Sequence, residues 1–216
     1  TLEALLEALK RQGVPVRAAD IGNVSKSDVI DAAFSKKKDR SLGAVLAFNV
    51  KVLPEAEEEA RKEGVKIFVD NVIYHLLDQY FEWRQRLKEE ELQERLNQLV
   101  RPGKFIIIPG YVFRRSNPAI VGIEMQGGVI RPGYPLISEK GRELGKIMAI
   151  KDNDKSLDMA RTGDKVAISI EGKILVGRHV DEGETVYTDV PVDHAIKLVT
   201  EFRAVISDDE LQVLKE

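Results

Sequence analysis

The sequence predicts an α/β protein: a three-layer α/β/α domain with a parallel sheet, joined by a long helix to a small closed β-barrel with two C-terminal helices. Three observations support this class. Helix and strand patterns alternate up to about residue 70, which is typical of a parallel sheet covered on both faces. One long helical pattern follows. Short apolar runs separated by Gly- and Pro-containing turns then continue to about residue 190, which is typical of a barrel.

The first domain is predicted to cover residues 1–70. Leucines at helical spacing from Leu2 to Leu9 predict a first helix, and residues 14–21 are predicted as a strand. Ser25 followed by Asp28 predicts a capping box at the start of the second helix. Because the chain opens inside a helix, we expect a further strand of the sheet to precede it.

The rest of this domain alternates in the same way. Residues 43–48 and 66–69 are predicted as buried strands on either side of a helix that begins at Pro54. The long connecting helix is assigned to residues 71–100. Its first half keeps an apolar face and its second half is mostly charged, so we expect the first half to pack on the sheet.

Residues 101–190 are predicted to form the barrel. Turn signals such as Gly127-Gly128 and Pro132-Gly133 divide this segment into a series of short strands. The last part, residues 191–216, is predicted as a helical pair, with Ser207 capping its second helix.

Charge and composition indicate what this chain binds. The segment from Arg101 to Lys151 has nine Lys/Arg and three Asp/Glu, a balance of +6 in a chain whose net charge is −3. A positive patch on an otherwise acidic protein predicts a polyanionic partner, most simply RNA. The absence of cysteine excludes disulfides and thiolate metal sites. No apolar run approaches a membrane span, so we expect a soluble, cytoplasmic chain without membrane contact.

The barrel segment contains NPAIVGIEMQGGVIRPGYPL, followed by LGKIMAI and then by NDKSLDMARTGDKVAISIEG. The order of these motifs resembles that of a barrel found in translational GTPases. The opening TLEALLEAL, the α/β segment, the long helix and FIIIPGYVFRRSNPAIVGIE extend the similarity to the whole chain. Together they resemble the C-terminal half of archaeal and eukaryotic translation initiation factor 5B, which is related to bacterial initiation factor 2.

This resemblance implies a function in ribosomal subunit joining. The α/β domain would relay the state of a GTPase, and the barrel would bind the methionylated acceptor end of initiator tRNA. The terminal helices would bind the tail of initiation factor 1A, and the other partners would be the ribosomal subunits. We expect a monomer. The chain has no G-x-x-x-x-G-K-[ST] phosphate loop, so GTP and Mg²⁺ would belong to a missing N-terminal half, with no catalytic residue or cofactor here.

Adjacent arginines are the clearest RNA candidates, because guanidinium groups bind phosphates and stack on bases. Strand pleating predicts that neighbouring side chains point to opposite faces. The alternative is a set of surface cations that pair with nearby glutamates. The candidate tRNA-binding residues are Arg114, Arg115, Ser116, Asn117, Arg131, Arg142 and Lys146.

Two further surfaces follow from the resemblance. A methionine pocket needs apolar side chains, although each candidate also suits the barrel core; the candidates are Phe113, Ile120, Met125, Ile147 and Met148. An acidic, apolar tail of initiation factor 1A would fit a groove in the terminal helices rimmed by two cations, the alternative being simple docking on the barrel. The predicted tail-binding residues are Lys197, Leu198, Phe202, Arg203, Leu211 and Leu214.

Two other classes of function fit parts of this sequence. An α/β ligand-binding enzyme would use polar residues at the ends of the predicted strands, but the same residues suit helix caps; they are Asp20, Asn23, Asn49, Asp70 and Asn71. A protein-only interaction adaptor is the remaining alternative, and it must explain the positive barrel segment.

Two other groups of residues have simpler explanations. His75, His179 and His194 fall on three different elements, which argues against a zinc site. The run Lys36-Lys37-Lys38 closes a helix, where it complements the helix dipole; the functional alternative is a contact with ribosomal RNA.

Overall fold

The computed structural model describes all 216 residues, and these fall into two units, Thr1–Glu94 and Arg95–Glu216. The first unit is built on a two-stranded parallel sheet in which β1 (Ala44–Phe48) pairs with β2 (Lys66–Asp70). No helix of the structure is both long and apolar enough to cross a bilayer.

Helices cover both faces of this sheet, which confirms the predicted three-layer arrangement. The helices are α1 (Leu2–Arg11), α2 (Lys26–Lys36), α3 (Pro54–Glu63) and α4 (Ile73–Asn97). One apolar cluster joins α1 and the first half of α4 to the sheet through residues that include Leu9, Phe68, Leu76 and Tyr80. A second cluster joins α2 and α3 to the opposite face.

The helix caps of the first unit lie where the sequence predicts them. Asp28 accepts hydrogen bonds from the backbone N and from Oγ of Ser25, which forms the predicted capping box. Pro54 stands at the first turn of α3, and Gly64 ends that helix with a left-handed φ of 64°.

The predicted strand at residues 14–21 is wrong. This segment has no regular structure, and the side chain of Ile21 is almost fully exposed. A strand needs a hydrogen-bonding neighbour. β1 pairs only with β2, and a cavity of about 850 Å³ lies between α1, this segment, α2 and β1. The chain reaches the sheet side just after this segment, through the bridge between Val24 and Val52 and the hydrogen bond from Lys51 N to Asn23 Oδ1.

The second unit is a closed barrel of six strands, in the order β3, β10, β5, β6, β9, β4 and back to β3. Two short strands lie outside the ring, β7 against β6 and β8 against β4. The strands are β3 (Gly103–Arg114), β4 (Ala119–Ile130), β5 (Pro135–Ser138), β6 (Glu143–Asp152), β7 (Lys155–Leu157), β8 (Ala160–Arg161), β9 (Lys165–Glu171) and β10 (Thr185–Thr188). One continuous apolar cluster fills the interior.

Two helices close the chain, α5 (Val192–Thr200) and α6 (Asp208–Lys215), with the predicted cap at Ser207. Acidic side chains hold α6 against the barrel. Glu210 pairs with Arg101, and Asp209 accepts hydrogen bonds from the backbone N of Gly128 (3.1 Å) and from Thr162 Oγ1. These contacts are why the acidic first turn of α6 lies on the positively charged barrel segment.

Candidate nucleic-acid interface and partner surface

The tip of β3 presents aromatic side chains to solvent. Tyr111 and Phe113 are two residues apart and lie on the outer face of the strand, with 54% and 65% of their surface exposed. Their ring centroids are 6.4 Å apart at an interplanar angle of 77°, an edge-to-face pair. Val112, between them, packs against the barrel core.

The wall beside this tip has small side chains. Gly122 on β4 pairs with Ala167 on β9, and Ala167 pairs with Lys151 on β6. Because their strand neighbours fill the core, these residues face outward. We call this outer surface of β3, β4, β9 and β6 the barrel wall.

A second row of the barrel wall is apolar. Ile120 on β4 stands opposite Ser169 on β9, and Ser169 stands opposite Ala149 on β6. Met148 precedes Ala149 at a register shift of β6, and its side chain is half exposed beside this row. Phe113, Ile120 and Met148 therefore lie on one surface, whereas Met125 and Ile147 are buried in the core.

The two central arginines are placed differently. Arg114 pairs with Ile120 at the edge of the barrel wall, is exposed, and forms no ion pair within 4.0 Å. Arg115 donates from Nη1 to the carbonyl of Val176 at 3.2 Å, and its own carbonyl accepts from Val176 N at 3.0 Å. Arg114 is consequently the free guanidinium of the pair.

The turn after them completes this group. Ser116 is half-buried, and Asn117 is exposed with a φ of 55°, a left-handed conformation that Asn tolerates. They link β3 to β4, so the turn itself adjoins Arg114.

The remaining candidate cations are dispersed. Lys146 stands on the outside of β6, opposite Glu171 of β9, at the Arg114 end of the barrel wall. Arg142 is exposed in the turn between β5 and β6. Arg131 follows the far end of β4, where its guanidinium donates to Asn97 Oδ1 and to the carbonyl of Asp158. Lys146 lies at the same end of the barrel wall as Arg114 but three strand spacings away, about 14 Å, and Arg131 is held in an intramolecular contact elsewhere.

The terminal helices present a different apolar surface from the predicted one. Leu198 and Phe202 are fully buried, so neither offers surface to a partner, and Leu211 and Leu214 are half-buried. The exposed apolar residues are Val192, Ile196 and Val199, at positions i, i+4 and i+7 of α5. We call these three residues the α5 stripe.

The two cations of the predicted groove remain exposed. Lys197 lies next to the α5 stripe, and Arg203 Nη2 is 3.8 Å from Asp208 Oδ1. The N-terminus of α5 is fixed to the barrel because His194 Nδ1 accepts a hydrogen bond from Val100 N at 3.0 Å. The α5 stripe is thus presented on a positioned helix.

Polar side chains at the edge of the parallel sheet accept hydrogen bonds from backbone N atoms. Asn23 Oδ1 accepts from Lys51 N (3.1 Å), and Asp20 Oδ1 accepts from Ile21 N (2.7 Å). Asp70 accepts from Val72 N (2.9 Å), and its backbone carbonyl accepts from Asn49 N (2.9 Å).

Asn71 is exposed and lies with Asn23, Asn49 and Asp70 around a shallow depression. Only the Asp70 bond lies directly before a helix, α4; Asn23 and Asp20 bind main-chain N atoms outside the first turn of any helix, so they do not cap the helices that follow them.

The histidines also lie apart. His179 Nδ1 accepts from Leu175 N at 3.1 Å within its own loop, and His75 is 4.0 Å from Asp70 Oδ2. The structure brings no three His, Cys, Asp or Glu side chains together in a metal-binding arrangement.

Tyr111 is the site residue that sequence reasoning missed. Alternation in the sequence alone does not distinguish a core aromatic side chain from an exposed one. The available signal was Pro109-Gly110 directly before it, because Pro and Gly inside a strand pattern often mark a bulge. The structure shows this irregularity as a register shift of β3 between Ile107 and Val112.

Known protein families match both units of the chain. Residues 1–81 match the model of translation-initiation factor 2, and residues 101–187 match the model of elongation factor Tu domain 4.

Among curated relatives, the probable translation initiation factors IF-2 of Aeropyrum pernix and Staphylothermus marinus are 64% and 57% identical to this chain over all 216 residues. The factor of Saccharolobus solfataricus is 46% identical over the same length. The chain spans only about 35% of the length of these relatives.

A solved structure agrees with the sequence matches. The crystal structure of GDP-bound aIF5B from Aeropyrum pernix superposes with a TM-score of 0.75 and 63% identity, over 99% of this chain and 36% of that one. The matched region is the C-terminal part of such factors. From end to end, then, this chain belongs to the family of archaeal translation initiation factor IF-2, also called aIF5B.

Proposed function

We propose that this chain holds the methionylated acceptor end of initiator tRNA on its barrel and the tail of initiation factor 1A on its terminal helices. In this way it would promote joining of the ribosomal subunits in the cytoplasm, as a monomer. GTP and Mg²⁺ are assigned to the rest of the factor, because this chain has no phosphate loop of the G-x-x-x-x-G-K-[ST] type.

The observation that supports tRNA binding is the composition of the barrel wall. Phe113, Ile120 and Met148 give it an apolar surface, and Arg114 stands beside them without an ion pair. Apolar side chains suit the thioether side chain of a bound methionine. An unpaired guanidinium suits a phosphate of the adjoining nucleotide.

The test is binding of the chain to methionylated and uncharged initiator tRNA over a salt series. We expect tighter binding of the methionylated form. Arg114→Ala should weaken both forms and reduce the slope of log K against log salt by about one. Arg61→Ala, at an exposed arginine of α3, is the matched control and should change neither. Equal affinity for the two forms would contradict recognition of the methionyl group.

The observation that supports tail binding is the α5 stripe. Three apolar side chains stay exposed on a helix whose other face is docked, with Lys197 beside them. An apolar peptide is complementary to this stripe in hydrophobicity, and Lys197 offers a cation to an acidic residue of the tail, although the exposed Asp193 stands on the same helix. The proposal therefore keeps Lys197 and Arg203 as the rim and replaces Leu198 and Phe202 by the α5 stripe as the apolar contact.

A substitution tests this surface better than a truncation. Removal of α6 would leave Arg101 without Glu210, which mixes a folding defect with a binding defect. Ile196→Asp should instead weaken binding of a synthetic initiation factor 1A tail at least tenfold, because Ile196 is 56% exposed at the centre of the stripe. Gln93→Asp, on the exposed surface of α4, is the control. Unchanged affinity of the Ile196 variant would place the tail elsewhere.

A further inference from the structure

We propose that Tyr111 and Phe113 form a stacking platform for unpaired RNA bases at the β3 tip. The choice of RNA as the ligand rests on the proposed function, and the geometry of the platform rests on the structure alone. This assigns to the acceptor-end surface a second contact, for unpaired nucleotides, which adds Tyr111 and shares Phe113 with the methionine contact.

The alternation of side chains along β3 turns both rings towards solvent. A side chain at each second position faces outward, and Val112 between them faces the core. More than half of each ring surface is free. Since the rings meet edge to face, their outward faces point in different directions, which leaves two separate surfaces for stacking.

The position of Tyr111 is fixed by its surroundings. Gly110 has a φ of 82°, and its N donates to Glu182 Oε2 at 2.6 Å, which anchors the irregular part of β3. Tyr111 then lies directly over Gly122: a Cβ at Gly122 would be 2.8 Å from Tyr111 Cβ. A ring held in this way loses little further freedom when a base stacks on it.

The space beside the platform suits a nucleic-acid strand. From Gly122 the barrel wall continues to Ala167 and then to Lys151, two strand spacings or about 10 Å away. This strip of small side chains has Tyr111 at one edge and an exposed lysine at the other. Lys151 forms no ion pair within 4.0 Å, so both it and Arg114 are available for phosphates.

These features favour RNA over a protein ligand. Aromatic rings flanked by unpaired cations are the common composition of single-strand binding surfaces, where rings stack on bases and cations neutralise the backbone. The one ion pair on this part of the barrel wall, Lys165 with Glu124 at 3.7 Å, lies beyond the Gly122 row. An acidic protein segment would use the cations but would leave the two ring faces without planar partners.

The experiment compares four RNAs at one salt concentration. They are methionylated initiator tRNA, uncharged initiator tRNA, initiator tRNA trimmed of its unpaired 3′ nucleotides, and a single-stranded RNA of four nucleotides whose binding is followed by NMR. The variants are Tyr111→Ala and Phe113→Ala, with Tyr74→Ala as the control at an exposed tyrosine of the first unit. Circular dichroism of each variant verifies the fold.

We expect each platform substitution to weaken binding of intact tRNA and of the short RNA by about 5- to 100-fold, the usual range for one stacked base. Neither should weaken binding of trimmed tRNA further, and Tyr74→Ala should change nothing. Equal losses with intact and trimmed tRNA, or no loss with the short RNA, would overturn the platform. A loss seen only with a protein partner, such as the initiation factor 1A tail, would also overturn it.

The design separates this proposal from the proposed function. If methionylated and uncharged tRNA bind equally but the short RNA depends on Tyr111 and Phe113, the methionine contact fails and the platform stands. If methionylated tRNA is preferred and both platform variants bind normally, the platform fails and the proposed function stands. If none of the RNAs binds, both are refuted.

Discussion

Replacement of Glu210 by Gln should release the last helix from the barrel. Arg101 donates to Glu210 through Nε at 2.7 Å and through Nη2 at 2.8 Å, a bidentate pair. Glu210 also accepts from the backbone N and Oγ of Ser207, both at 2.9 Å. The two side chains are only 11% and 1% exposed. An amide at this position removes the counter-charge of a nearly buried guanidinium.

The size of the effect follows from burial. Removal of one partner of a buried pair costs about 3–5 kcal/mol, because the other charge stays desolvated. Arg101 keeps a little contact with solvent, so we expect the lower end, about 3 kcal/mol. At 1.4 kcal/mol per tenfold change, this raises the opening equilibrium of α6 on the order of 100-fold.

Hydrogen exchange followed by mass spectrometry measures this opening directly. Peptides from α6 should lose protection in Glu210→Gln, while peptides from β9 and from α3 serve as internal references. The double variant Arg101→Met/Glu210→Met should recover most of the protection, because an apolar pair replaces the ion pair. Protection of α6 within about threefold of the parent in the single variant would refute the argument; so would a double variant as open as the single one.

Three more changes follow from contacts described above. Hydrogen bonds from Ser207 and Thr162 lower the pKa of Asp209 from 3.8 to about 2. Its contribution to the docking of α6 is therefore full above pH 4 and is lost as the pH falls towards 2. Asp209→Asn should abolish this pH dependence of hydrogen exchange in α6. Gly127→Ala puts a Cβ 2.6 Å from Val213 and should destabilise the barrel by about 1–2 kcal/mol in guanidinium unfolding. Tyr80→Phe removes a buried hydrogen bond to a backbone carbonyl and should cost about 1 kcal/mol, measured by fluorescence of the single tryptophan, Trp83.

The fold class was predictable because local signals agreed with the tertiary structure. The predicted turn at Pro132-Gly133 separates β4 from β5, whereas the turn predicted at Gly127-Gly128 is wrong: both glycines lie inside β4, beside a register shift against β3, and Gly128 adopts a left-handed φ of 69°. The capping residues at Ser25 and Ser207 lie where the helices begin. The prediction of a strand at residues 14–21 is wrong because a sequence pattern gives only a preference for extended backbone, whereas a strand also needs a hydrogen-bonding partner in the sheet.

The candidate site was only partly predictable. The positive charge around Arg114 is visible in the sequence. The sequence does not show that Arg115 is engaged while Arg114 is free, because the carbonyl that binds Arg115 lies sixty-one residues away. The apolar candidates separated according to strand register, which placed Met148 outside and Ile147 inside. On α5, helical spacing alone does not show which face meets the barrel: the predicted contact Leu198 is buried, and Ile196, which is not among the predicted contacts, is exposed.

Closure of the barrel has a consequence for recognition. On the barrel wall, β4, β9 and β6 each have hydrogen-bonded neighbours on both sides, so these three strands offer no free edge for a ligand to extend the sheet, whereas the tip of β3 beyond Ile107 pairs with β4 but not with β10. A molecule that binds across β4, β9 and β6 must be distinguished by side chains. Selectivity there can therefore be altered by single substitutions at outward positions, while the main-chain ring that carries them stays the same.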